Sequence, residues 1–129
     1  MQEIGPYYLE DGVDYKIGDS LIENPDSWHK ASNLIFLESP AGVGYSYNLD
    51  QTFEYDDEIT ANDTYNAIVK FFELYPEYSK NKFFIAGESY AGKYIPDLAV
   101  LIDKNRAKNN IPLSAILVGN GLMTFATLE

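Results

Sequence analysis

The chain of 129 residues contains no cysteine. Disulfide cross-links and thiolate metal ligation are therefore excluded within it. Histidine is nearly absent as well, with His29 as its one representative. Basic residues are scarce: 9 Lys and Arg stand against 20 Asp and Glu, for a net charge of −11. A surface this acidic repels a phosphate backbone, so a nucleic-acid partner is not expected. No apolar run reaches the length of a membrane span. The start of the chain has no basic stretch followed by an apolar one, so no signal peptide is visible.

What is present is an ordinary globular balance, 46% hydrophobic and 22% charged. That supports one domain with a real core. Residues 1–31 read as loops and short strands. Asp11-Gly12, between Tyr7-Tyr8-Leu9 and Val13-Asp14-Tyr15, predicts a tight hairpin. Asn24-Pro25-Asp26-Ser27 predicts a second turn. Leu34-Ile35-Phe36-Leu37 predicts a buried strand that ends at Ser39-Pro40.

Residues 56–75 carry the clearest helical pattern. Ala61, Tyr65, Ile68, Phe72 and Tyr75 recur at steps of four and three. Asp56, Asp57 and Glu58 suit the N-terminus, and Pro76 stops the helix. A second strand is predicted over Phe83–Ala86. A second helix should cover 91–105, with Tyr94, Ile95, Leu98, Leu101 and Ile102 facing the core. Pro96 belongs in its first turn or at a kink. Lys104, Arg106 and Lys108 lie near its end, the favourable sign for the dipole. Ala115-Ile116-Leu117-Val118 predicts a third buried strand, closed by Gly119-Asn120-Gly121. Alternating strands and helices imply a parallel sheet with right-handed crossovers, an α/β fold. The 11 tyrosines fall mostly on helix faces and turns and are explained by packing.

The segment Gly87-Glu88-Ser89-Tyr90-Ala91-Gly92 joins the second strand to the second helix. This is the layout of a nucleophile elbow, a sharp turn that lifts a serine hydroxyl above a sheet. The small residues at 87, 91 and 92 let two backbones pass closely. The backbone N–H after the serine, that of Tyr90, is a ready donor to an oxyanion. In this layout the catalytic order is serine, acid, histidine. His29 precedes Ser89, so it reads as a turn side chain and not as the base. Asp97 and Asp103 lie on the helix just after the elbow, a poor place for the acid. Gly42-Val43-Gly44 is too weak a signal for a phosphate loop. Asn62-Asp63-Thr64 is an N-glycosylation sequon inside a predicted helix, where a chance match weighs as much as use.

The hexapeptide followed by Tyr94-Ile95-Pro96 closely resembles the serine carboxypeptidase family. Three more segments match in order. Glu3-Ile4-Gly5-Pro6 resembles the family's E-L-G-P. Asn24-Pro25 through Trp28, with Leu34 to Tyr47, resembles its N-P-x-S-W and its strand plus glycine loop. Leu117 to Leu122 resembles its I-G-N-G segment. The resemblance implies an α/β-hydrolase fold: a mainly parallel sheet with flanking helices and an N-terminal hairpin. It also implies the activity of a serine-type carboxypeptidase that removes C-terminal residues at acidic pH through an acyl-enzyme on Ser89.

By the same resemblance, Glu88 binds the free C-terminal carboxylate of the substrate. Two carboxylates repel, so that contact needs a proton between them. Glu3 would sit beside Glu88 and favour the protonated form. The side chains of Tyr90 and Leu122 would line the pocket for the residue before the scissile bond. The substrates would be peptide or protein C-termini, the compartment vacuolar, lysosomal or secretory, and no metal or organic cofactor is implied. The family's W-x-N-G-G-P-G-C-S-S segment would precede Glu3, and the triad acid and histidine would follow residue 129. The chain, 1–129, is accordingly expected to be one partial domain, an internal piece inactive by itself. Such a piece should expose a long apolar sheet edge and be poorly soluble or molten. Two alternatives stay open: a non-catalytic hydrolase-like binding module, and an acyltransferase on the same scaffold.

Overall fold

The computed structural model describes residues 4–8, 21–50 and 55–123. These fall into two compact units that divide after Leu37.

The first unit is organised by buried polar side chains. Strand β1 (Tyr7–Tyr8) pairs antiparallel with β2 (Ile22–Glu23). A hairpin was expected from Asp11-Gly12, with residues 13–15 as its second strand. That turn and those residues lie outside the described ones, and the partner of Tyr7–Tyr8 is further along the chain. Asn24 and Ser27 are both buried. The Asn24 side-chain amide donates to the Gly5 carbonyl at 2.9 Å, and the Ser27 hydroxyl donates to the Ile4 carbonyl at 2.8 Å. The Trp28 amide also donates to Ile4, at 3.1 Å. Each bond satisfies a group that would otherwise be desolvated without a partner. The predicted turn at residues 24–27 thus doubles as a clamp on the segment that begins at Ile4.

The Leu34–Leu37 run forms no strand, contrary to expectation. It carries no regular structure, and Ile35 is 52% exposed. Apolar, β-favouring residues become a strand only where a neighbour offers backbone groups in register, and among the described residues no such ladder forms for this run.

The second unit holds the core. Helix α1 (Asp57–Leu74) starts at Asp56, whose carboxylate accepts the Ile59 amide at 2.6 Å. It stops before Pro76, which opens a short 3-10 helix ending at Lys80. Strand β3 (Phe83–Glu88) leads to helix α2 (Ala91–Lys104), and β4 (Leu113–Gly119) lies parallel to β3. The crossover strand, helix, parallel strand is the unit the alternating pattern implied. Phe83 pairs with Leu113 but Phe84 pairs with Ala115, so Ser114 is an extra residue at the start of β4.

Phe72, Leu98, Ile102 and Ile111 form the buried cluster, with Tyr65, Ile68, Phe83, Ile85 and Leu113 packed against it. Ile102 is the most deeply buried, at 2% exposure. Burying each such side chain fully is worth roughly 1.5–3 kcal/mol. Asn109 closes the unit behind α2. Its amide donates to the Tyr65 hydroxyl at 3.0 Å and to the Asn105 carbonyl at 3.0 Å, while its oxygen accepts the Ile111 amide at 3.1 Å.

Two expectations about burial fail. The strands were read as buried, yet β3 alternates, and Phe84 is 51% exposed while Leu117 is 44% exposed. Both helices contribute to the one cluster that Phe83, Ile85 and Leu113 join. Among the described residues the opposite face of the sheet has no cover. Tyr94 was expected to face the core and Tyr75 was read on the apolar stripe of α1, yet both are exposed. Tyr75 caps α1, where the helical period no longer sets its direction, and its ring leans on Phe71 with centroids 5.1 Å apart. Tyr94 packs on Tyr90 instead, 4.9 Å between centroids. Pro96 sits inside α2, past the first turn. The amide it lacks would have reached the Gly92 carbonyl. Among the described residues no helix is long and apolar enough to cross a membrane.

Candidate active site

Strand β3 and helix α2 are two residues apart, and the chain must reverse sharply between them. Ser89 takes the strain, with φ 59° in the left-handed region. For a residue with a Cβ this costs about 1–2 kcal/mol. Such a conformation persists only where surrounding bonds over-determine it. Here they do. The Ser89 amide donates to the Gly119 carbonyl at 3.0 Å, and the Ser89 carbonyl accepts the Gly92 amide at 3.0 Å and the Leu122 amide at 2.8 Å. Both peptide groups flanking the serine are thereby held, and the residue itself is exposed.

The small residues explain how the chains fit. A Cβ on Gly87 would lie 2.6 Å from the Ala91 Cβ and 2.9 Å from Ile95 Cδ1. One on Gly92 would lie 2.7 Å from both the backbone nitrogen and the oxygen of Leu122. Neither site has room for a side chain. The turn after β4, Gly119-Asn120-Gly121-Leu122, therefore grips the elbow from the far strand. Asn120 is also left-handed, with φ 45°. Sequence reasoning took this segment as a strand ending and a family motif and did not find its bracing role. The signal available was the pair of glycines around Asn120, the residue type best suited to positive φ after glycine.

The other predicted residues are placed as follows. Tyr90 is the N-cap of α2, and its N–H reaches no acceptor among the described residues. Glu88 ends β3, opposite Gly119, and is exposed. Leu122 is half-buried. Ser89, Tyr90, Glu88 and Leu122 are thus gathered at one end of the β3–β4 pair. Glu3 lies outside the described residues. His29 stands in the first unit on a short 3-10 helix, its Nδ1 2.8 Å from the Ser27 hydroxyl. With its single proton given to Ile4, Ser27 accepts from His29, so the ring carries its hydrogen on Nδ1. Asp97 is exposed on α2, and Asp103 pairs with Arg106 at 3.0 Å.

Asp57, the first residue of α1, was not singled out for a site role. Its carboxylate lies 3.7 Å from Lys93 Nζ and 3.5 Å from the Tyr90 hydroxyl. Both distances are at the long limit of a direct polar contact. They nonetheless bring the start of α1 up to the elbow.

The sequence profile described as serine carboxypeptidase matches residues 1–127. The chain belongs to the serine carboxypeptidase family. Serine carboxypeptidase-like 32 of Arabidopsis thaliana is 49% identical, over 97% of this chain and 27% of that protein. Lysosomal protective protein of Mus musculus is 43% identical, over 97% of this chain and 25% of its own length. Among solved structures, a prohormone-processing carboxypeptidase from Saccharomyces cerevisiae superposes with a TM-score of 0.77 at 29% identity. That match covers 94% of this chain and 26% of the yeast one. The chain thus spans about a quarter of the length of the curated relatives it matches. The α/β-hydrolase assignment follows from this likeness together with the parallel β3–α2–β4 unit.

Proposed function

We propose that this chain carries the nucleophile of a serine carboxypeptidase. The observation that supports it most is the left-handed Ser89, exposed and tied on both sides to Gly119, Gly92 and Leu122. A merely structural turn would use glycine at φ 59° and avoid the strain.

In this reading Ser89 Oγ attacks the carbonyl of the last peptide bond of a substrate. The Tyr90 N–H, otherwise unpartnered among the described residues, donates to the oxyanion. A histidine that lies outside this chain, oriented by an acid, takes the serine proton and delivers it to the departing amino acid. Water then releases the acyl group by the same route in reverse. Glu88, through a proton shared with the substrate's terminal carboxylate, restricts the reaction to free C-termini, and by the family resemblance Glu3 would favour the protonated form. The side chains of Tyr90 and Leu122 bound the pocket for the preceding residue. Substrates are peptide or protein C-termini, no metal or organic cofactor takes part, and the compartment is acidic and lumenal: vacuolar, lysosomal or secretory. One partial domain, inactive alone, is the corresponding domain reading.

The test is labelling of the complete protein by a fluorophosphonate probe, together with release of free C-terminal amino acids. Labelling that disappears in Ser89→Ala, with amino-acid release, supports the peptidase. Equal signal from both forms leaves a non-catalytic binding module. Labelling with transfer to an acceptor other than water identifies an acyltransferase.

A further inference from the structure

Asn62-Asp63-Thr64 is the one N-x-Ser/Thr triplet in the sequence, and nothing in the proposed reaction uses it. It falls on α1. Asn62 stands on the outward face of that helix. Its neighbours one turn away on either side, Glu58 and Asn66, are polar and exposed, as are Asp63 and Lys70. The face that packs, carrying Ala61, Tyr65, Ile68 and Phe72, lies elsewhere on the cylinder. A bulky substituent on Asn62 would extend into solvent and meet none of the core.

The chemistry of the amide also fits. Asn62 Nδ2 donates one hydrogen bond, to the Glu58 carbonyl at 2.9 Å. An amide nitrogen has two hydrogens. Attachment of a sugar replaces one of them, and the other continues to hold Glu58. The modified side chain keeps its bond to the helix.

Thr64 behaves differently. Its hydroxyl lies 3.1 Å from that of Ser39, part-buried beneath the segment that follows Glu38. Residues two apart on a helix point about 200° from one another around the axis. A transferase that reads the sequon must engage the asparagine amide and the threonine hydroxyl together. On the finished helix those groups point away from each other, and the hydroxyl is already partnered.

We propose that Asn62 is an N-glycosylation site, modified before α1 forms and displayed afterwards on its solvent face. The inference rests on the lumenal compartment proposed above. The donor is a lipid-pyrophosphate-linked oligosaccharide. The Asn62 amide nitrogen forms a bond to the anomeric carbon of the first sugar. The bond from that carbon to the pyrophosphate oxygen breaks, and the lipid pyrophosphate departs with the electron pair. The nitrogen gives up one proton to a base of the transferase.

The complete protein, produced through a eukaryotic secretory pathway, is treated with a glycosidase in 18O water and mapped by mass spectrometry. Conversion of Asn62 to labelled aspartate is the expected result. Asn62→Gln should lose the corresponding mass shift entirely while keeping fluorophosphonate labelling, since Asn62 is remote from the proposed chemistry. An unconverted Asn62 overturns the site. Timing is read by offering the transferase two substrates: the folded, unglycosylated protein and a synthetic peptide spanning residues 57–74. Modification of the peptide alone is expected, and equal modification of the folded protein overturns the order of events. If the natural protein is found in the cytosol, the compartment reading falls and the site falls with it, whereas an unconverted Asn62 in a lumenal protein overturns the site alone.

Discussion

The backbone amide of Leu122 donates to the carbonyl of Ser89 at 2.8 Å, across a gap of sequence that contains all of α2 and β4. The bend at the serine is therefore a tertiary feature. It is completed by a turn at the end of a different strand, and it needs Gly92 to let that turn come within reach.

Gly92→Ala should break this relationship. The added methyl meets backbone atoms of Leu122, which have no rotamer to escape into. A loss of about 1–3 kcal/mol is expected from such overpacking. Denaturant unfolding of the complete protein measures it, and fluorophosphonate labelling should slow in parallel. An unchanged midpoint would mean that the Gly119–Leu122 turn is free to move away.

Ser89→Gly and Ser89→Ala should differ in stability. Both remove the hydroxyl and abolish labelling. Alanine keeps the left-handed cost, whereas glycine relieves it and loses part of the gain to the entropy of its unfolded state. The glycine form should be the more stable by roughly 0.5–1 kcal/mol. Equal stability would argue that Ser89 is relaxed.

Glu88→Ala and Glu88→Gln probe recognition of the terminal carboxylate. Glutamine still has an N–H to donate to a carboxylate, whereas alanine has none. A hydrogen bond to a charged group is worth on the order of tenfold or more in kcat/KM. On free-acid peptides the alanine form should lose about that much and the glutamine form little. Equal kcat/KM for the two variants would remove Glu88 from carboxylate recognition.

Asn109→Ala removes a clamp that joins α1, the end of α2 and the start of β4 through Tyr65, Asn105 and Ile111. The partners left unsatisfied should cost about 1–3 kcal/mol, read as a lowered unfolding midpoint with labelling intact below it. No change in midpoint would show that water replaces the amide without loss.

Isolated from any further polypeptide, the 129-residue chain should associate. Phe84 and Leu117 face outward on the open side of the sheet, and β3 and β4 each have one unpaired edge among the described residues. Light scattering should report oligomers, and dye binding should report exposed apolar surface. A monomer with a sharp, cooperative unfolding transition would contradict this.

Much of this molecule was legible one residue at a time. Asp56 and Pro76 bracket α1 because capping and the missing proline amide act locally. Phe83–Ala86, the small-residue hexapeptide and the apolar steps of Ile95, Leu98 and Ile102 mark a strand, a bend and a helix for the same reason. Four motifs in order were enough for the family resemblance, which needs no coordinates. Local pattern could not say whether Leu34–Leu37 would find a strand partner, which face of β3 would stay bare, or where Tyr94 would turn. Those outcomes depend on neighbours distant in sequence. The brace on Ser89 is the clearest case. A left-handed serine is unfavourable by itself, and only hydrogen bonds from Gly119 and Leu122, brought there by the parallel pairing of β3 with β4, hold it in place.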